Sequence, residues 1–201
     1  MKRFFSLLLT SCLMTALTGC KATSDANPTQ AQPAEATPAE AHAKTLVIYF
    51  SATGTTRAVA EALAARTGAD LYELVPEEPY TADDLNYNVS SSRANREMND
   101  DSARPAIHGD IIDVSGYDTI LLGYPIWWGT MPRIVNTLLD ACDLSGKVIL
   151  PFCTSGGSGV SQSTSDIRRA EPNADVRDGL RARGSQDSAL DRWLSENGLG
   201  Q

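Results

Sequence analysis

The sequence predicts one α/β domain, a doubly wound parallel sheet with helices on both faces. Three observations predict it. Short runs of β-branched and other apolar residues recur from residue 46 onward. Most are followed by a stretch whose apolar residues have helical spacing. Glycine- and hydroxyl-rich turns stand between several of these pairs, so strand and helix alternate as a parallel sheet requires.

Residues 46–50 (LVIYF) form a continuous apolar run, as expected of a central strand buried on both faces. Residues 56–66 follow as a helix, with Val59 and Leu63 on one face and Ala60 and Ala64 beside them. Residues 69–75 make the second strand. Residues 76–106 then break the rhythm with Tyr80, Asn86, Tyr87, Asn88 and three consecutive serines. A crossover helix is due here, yet the segment is long and polar, with room for a short helix. Such long segments inside compact domains tend to be functional. Residues 119–123 make the third strand, and Ile134, Val135, Leu138 and Leu139 mark the helix after it. Residues 148–153 make the fourth strand, followed by a helix over 160–169. A short edge strand is expected within 174–180, and Leu190, Trp193 and Leu194 mark a closing helix.

The chain has 201 residues, 42% hydrophobic and 21% charged, which suits one globular domain plus additional chain. Its net charge of −8 repels phosphate backbones, so nucleic acid is not an expected partner. Two His and four Cys leave little material for a metal cluster, and no metal site is assigned.

The additional chain is N-terminal. Lys2 and Arg3 precede a mostly apolar run over residues 4–17, too short to span a bilayer comfortably. The run ends in Leu17-Thr18-Gly19-Cys20, which resembles a bacterial lipobox. Residues 1–19 are therefore expected to be a lipoprotein signal peptide, with Cys20 the lipidated residue. Residues 20–44, rich in Ala, Pro, Thr, Gln and Glu, have no apolar period and are expected to be a disordered tether. Its end-to-end distance would be about 27 Å. The expected location is outside the cytoplasm, lipid-anchored to a bacterial membrane and facing the periplasm or cell exterior. The domain is expected over 45–201.

In open parallel sheets ligands collect beyond the carboxyl ends of the strands. After the first strand comes Ser51-Ala52-Thr53-Gly54-Thr55-Thr56, opening a helix. Gly permits a tight turn, the hydroxyls can donate, and the helix start offers unpaired N–H groups to a phosphate. The loop has neither a Gly-Lys-Ser/Thr nor a Gly-x-Gly-x-x-Gly pattern. Its plain structural alternative is a capped helix start with Thr55 or Thr56 as N-cap. The third strand leads into Pro125-Ile126-Trp127-Trp128-Gly129, where two adjacent Trp can lie against a flat ring. One of the two is expected to pack beneath the loop. After the fourth strand comes Thr154-Ser155-Gly156-Gly157-Ser158-Gly159, whose backbone N–H groups can face a ligand edge.

Together these loops resemble those of the flavodoxin-like family of flavin mononucleotide (FMN) proteins, over most of the chain from Thr45 to Leu199. The first loop fits that family's Ser/Thr-x-Thr-Gly-x-Thr phosphate loop at each specified position. The resemblance implies a five-stranded sheet in the order 2-1-3-4-5 and FMN as cofactor. It implies that Ser51, Thr53, Gly54, Thr55 and Thr56 hold the phosphate. Pro125, Ile126, Trp127, Trp128 and Gly129 would cover one side of the ring, and Thr154, Ser155, Gly156, Gly157 and Gly159 would follow its edge. The loop after the fourth strand carries no aromatic residue, unlike many short flavodoxins, which leaves one ring face open. Tyr80, Asn86, Tyr87 or Arg93 could stand near that face. Arg57 could approach the phosphate or lie in solvent. An acidic chain should disfavour added negative charge on the ring.

The expected function is redox electron transfer at the membrane surface, with a basic protein as the favoured partner. An FMN-dependent reductase of a small molecule such as a quinone is one alternative, using a nicotinamide donor or a partner protein. A lipoprotein that keeps the fold without flavin is another. No Ser/His/acid or paired-carboxylate set assembles, so no catalytic residue is assigned. His108 is read as a solvated loop residue. Cys142 and Cys153 are read as free thiols. Their positions at opposite ends of a strand put them about 20 Å apart, beyond disulfide reach of about 7 Å.

Overall fold

The computed structural model describes residues 44–200. The expected signal peptide, Cys20 and nearly all of the expected tether lie outside the described residues.

Every strand expected from the sequence forms. They are β1 (Thr45–Tyr49), β2 (Asp70–Glu73), β3 (Thr119–Pro125), β4 (Val148–Thr154), β5 (Asp175–Val176) and β6 (Leu180–Ala182). The helices are α1 (Thr55–Thr67), α2 (Arg93–Met98), α3 (Arg133–Ala141), α4 (Ser161–Ala170) and α5 (Ala189–Glu196). The strands all pair in parallel, in the order β2-β1-β3-β4-β5, with β6 also paired to β4.

The fifth position in the sheet is split, and Pro151 explains where. β5 pairs Val148 and Ile149, and β6 pairs Phe152 through Thr154. The Val148 amide donates toward β3, to Asp118 O at 2.9 Å, while Ile149 O accepts from Arg177 on the other side. Strand alternation therefore points the Pro151 nitrogen at the edge strand, where it has no hydrogen to give. The edge chain leaves the ladder there and passes through Gly179. A Cβ at Gly179 would lie 2.7 Å from Thr164 Oγ1 and 2.8 Å from Val160 Cγ2.

Alternation along the strands builds two cores. Leu46, Ile48, Ile120, Leu122 and Ile149 face α3 and α4, meeting Ile134, Leu138 and Ile167. Val47, Tyr49, Leu121, Leu150 and Phe152 face α1 and α5, meeting Val59, Leu63, Leu190 and Trp193. Gly123 is required on the second face. A Cβ there would sit 2.1 Å from the Phe152 ring. The β1 run is buried along its whole length, as a central strand must be, while Leu71 on edge strand β2 is exposed.

Cys142 and Cys153 are both free, the first half-buried and the second buried. Burial pushes the Cys153 thiol up to about 12, so it is protonated and unreactive in the fold. His108 is exposed, with Nδ1 3.0 Å from Glu77 Oε2.

Three Asp-x-Ser turns close loops on the surface. Asp100, Asp113 and Asp143 accept from the amides of Ser102, Ser115 and Ser145 at 2.8, 2.9 and 3.0 Å. The hydroxyl and amide of each serine hold these carboxyls below their ordinary value of 3.8. Unfolding restores the higher value. The turns therefore stabilise the fold above 3.8 and lose that contribution as pH falls through the lower folded values. The urea midpoint is expected to be flat above pH about 5 and to fall below about 4. Replacing all three Asp by Asn should make that acid limb shallower.

Candidate functional site

Because the strands are parallel, their carboxyl ends share one rim. A cavity of about 820 Å³ lies there, in the size range of small-molecule sites. Its wall draws on the segments after β1, β3 and β4, on β6 and on part of 76–106.

From the first loop, Ser51, Ala52, Thr53, Thr55 and Thr56 line the cavity. Gly54 does not line it; it turns the chain. Its φ of +87° lies in the left-handed region, and it is the N-cap of α1. The plain alternative of Thr55 or Thr56 as cap does not hold, for no side chain caps this helix. The first helical bond runs from Ala58 N to Gly54 O, 3.1 Å, so the amides of Thr55, Thr56 and Arg57 have no intrahelical acceptor. The threonine hydroxyls are thereby released from capping. Thr56 Oγ1 lies 2.9 Å from Thr154 Oγ1, joining the first loop to the third. Ser51 Oγ is buried with no partner. Arg57 turns toward the opposite edge, donating to Glu73 of β2 at 2.5 Å, and does not line the cavity.

From the second loop, Pro125, Ile126, Trp127 and Trp128 line the cavity. Residues 127–130 form a tight turn, with Trp127 N to Thr130 O at 2.9 Å and Thr130 N to Trp127 O at 3.0 Å. Trp128 and Gly129 both have positive φ, +48° and +86°, as a type I′ turn demands. Gly129 shapes this turn and does not line the cavity. Trp127 packs beneath, edge-to-face against Phe50 at 5.6 Å and Tyr80 at 5.2 Å. Trp128 is 47% exposed and is the sole non-Gly residue with positive φ among the described residues. That conformation strains a bulky side chain by about 1 kcal/mol. Trp128→Gly should relieve that strain, but glycine's greater freedom in the unfolded chain offsets it, so the stability of the ligand-free chain should change by less than about 1 kcal/mol. Thermal melts would check it.

From the third loop, Thr154, Ser155 and Gly156 line the cavity. The Ser155 hydroxyl donates to Ser158 O, folding the loop back, and Gly157 and Gly159 lie beyond the wall.

Part of the irregular segment also contributes. Leu85, Tyr87 and Ala94 line the cavity, and Tyr87 is 73% exposed. Tyr80 and Arg93 stand behind Trp127 and do not line it. The Arg93 guanidinium lies 4.2 Å from the Tyr80 ring centroid and donates to Glu97 Oε1 at 2.6 Å. The Tyr80 hydroxyl also donates to Glu97. Burial pushes the Tyr80 phenol strongly up, with the Glu97 carboxylate adding to it. α2 is capped by Ser92, whose Oγ accepts from Asn95 N.

The profile of the flavodoxin family matches residues 44–197. The chain belongs to the flavodoxin family. A candidate flavoprotein from Bacteroides eggerthii is similar at 42% identity and TM-score 0.72, over 77% of this chain and 97% of that one. A second, from Bacteroides uniformis, has 38% identity and TM-score 0.74, over 76% and 98%. A flavoprotein from Lactobacillus acidophilus, solved in complex with FMN, has 29% identity and TM-score 0.60, over 75% and 98%. Among curated proteins none matches.

In this flavodoxin the cavity wall also includes three residues not expected from the loops, Arg181 and Ala182 on β6 and Arg183 just after it. The signal was available. Ligands collect beyond the carboxyl end of the edge strand as they do beyond those of the central strands. Among the described residues no cluster of His, Cys, Asp and Glu is suited to a metal ion, and no helix is long and apolar enough to cross a membrane.

Proposed function

We propose that this chain binds FMN at the rim and works as a redox flavoprotein tethered to a membrane surface. The observation that carries the reading is Ser51 Oγ, buried without a partner beside a helix start whose amides have no intrahelical acceptor. A donor set of hydroxyls and amides suits a phosphate monoester, because helix starts attract anions. Walls of Trp127, Trp128 and Ile126 suit a flat ring, so the residues present fit the cofactor. The FMN complex of the Lactobacillus acidophilus relative supports the same assignment.

Ser51, Thr53, Thr55 and Thr56 would hold the phosphate, with the amides after Gly54. Trp127 and Trp128 would lie on the ring, and residues 154–156 along its edge. When bound, FMN supplies one- or two-electron transfer. The protein orients the ring and excludes water from its Trp127 side. Thr130 Oγ1, donating to Asp166 at 2.5 Å, fixes the tryptophan turn to α4.

Titration of the flavin-free chain with FMN, followed in the visible spectrum, tests this. Thr53→Val and Trp127→Ala should each weaken binding about tenfold or more, the second through loss of ring contact. Equal binding by both variants would overturn the loop assignments. A chain that stays colourless with FMN would favour the flavin-free alternative.

The absence of an aromatic residue after β4, with exposed Tyr87 at the cavity, favours a second reading as a small-molecule reductase. Quinone turnover with a nicotinamide donor and no added protein would select it over a carrier. The lipobox supports the tether. Cys20→Ala should release the chain from membranes and abolish fatty-acid labelling.

A further inference from the structure

Three buried side-chain polar atoms lack a hydrogen-bond partner among the described residues: Ser51 Oγ, Asn136 Oδ1 and Arg181 Nε. Two of those residues, Ser51 and Arg181, line the cavity. They come from different strands. Ser51 follows β1 and Arg181 lies on β6, with β3 and β4 between them. Three strand spacings separate these strands, about 14 Å. A buried guanidinium N–H without an acceptor is costly. Arg181 is nonetheless held in place, its Nη2 donating to Ser155 O at 3.2 Å. The same loop is assigned above to the ring edge.

The local charge is opposite to that of the chain. Net charge is −8, yet the cavity wall carries Arg181 and Arg183 and no Asp, Glu or Lys. The expectation that an acidic surround would resist added negative charge on the ring does not hold at the wall itself.

We propose that Arg181 is a ring-facing residue: its Nε–H donates to the acceptor edge of the FMN ring along residues 154–156, and its charge favours the reduced ring over the oxidised one. This rests on the FMN reading above. Two electrons and one proton added to the neutral oxidised ring leave one net negative charge on it. The guanidinium attracts that charge and gives the oxidised ring only a hydrogen bond. Reduced FMN is therefore bound more tightly than oxidised FMN to a greater degree than without Arg181. By linkage the midpoint potential is raised.

The test compares the parent with Arg181→Gln, Arg181→Lys and Arg183→Gln, each loaded with FMN and equilibrated against dyes of known potential. Arg181→Gln is expected to weaken binding of reduced FMN about tenfold more than oxidised, a midpoint drop of about 30 mV for a two-electron couple. Arg181→Lys keeps the charge and should keep most of the midpoint. Arg183→Gln, at an exposed side chain, should shift it less. In the parent itself, the Arg181 Nε–H proton resonance should move downfield when FMN is added, as an N–H without an acceptor gains one, a readout that needs no folded Gln variant. An unchanged midpoint in Arg181→Gln, with both redox forms bound equally less tightly, would mean that Arg181 only braces Ser155, and would overturn the proposal. So would an Nε–H resonance that FMN leaves unshifted. A parent that binds no FMN would overturn the underlying reading as well.

Discussion

Ser51→Ala leaves the flavin-free chain as stable as the parent or slightly more so, yet weakens FMN binding by about ten- to a hundredfold. The opposed signs follow from one atom. Ser51 Oγ is buried and makes no hydrogen bond within the described residues, so the ligand-free fold bears the desolvation of a hydroxyl that returns nothing. Deleting it removes that penalty. A hydrogen bond to a charged group contributes about 1.5–3 kcal/mol, and a phosphate at the start of α1 would be such a group. Thermal melts and FMN titrations on one preparation would check both signs. A variant that loses stability but keeps FMN affinity would mean that the hydroxyl serves the fold and not a ligand.

Arg93→Met lowers global or segment stability by about 3 kcal/mol, the second large effect. The Arg93 and Glu97 side chains are only 15% and 13% exposed, and the pair is supported on three sides. Arg93 Nη1 donates to Glu78 O at 2.6 Å, its guanidinium covers Tyr80, and the Tyr80 hydroxyl donates to Glu97. Methionine keeps much of the volume but strands the Glu97 carboxylate. The double variant Arg93→Met with Glu97→Gln should recover part of the loss, because no charge is then left unpaired. Urea melts read the cycle, and amide exchange over 76–106 shows whether the loss is local. Trp127 rests on Tyr80, so the same variant should weaken FMN binding modestly. A loss under 1 kcal/mol would mean that the network is solvated and does not anchor the cavity wall.

Much of this fold was legible because the strands are short apolar runs whose periods switch cleanly to helical ones. Three details were not. β3 runs through Tyr124 and Pro125, two residues past its expected end, since a Tyr-Pro pair before two Trp looks like loop while the β4 ladder continues to Thr154. The edge strand breaks in two because Pro151, on the neighbouring strand, withholds a donor, a cause invisible in the edge sequence itself. Segment 76–106 carries its order in side-chain pairs such as Arg93 with Glu97 and Asn95 with the Val89 carbonyl, for which no periodicity exists to be read. At the site, the hydroxyls of the first loop and both tryptophans could be named from the chain. The division between wall and turn could not, because it depends on backbone geometry, with Gly54 and Gly129 shaping turns at positive φ. Arg181 needed the strand order before it could be placed beside the loop after β4.

The most direct measurement is a crystal structure of the chain grown with FMN. The phosphate is expected among Ser51, Thr53, Thr55 and Thr56, the ring against Trp127 and Trp128, and its far edge at Arg181. A rim closed by the protein's own side chains, or FMN seated elsewhere, would contradict this placement.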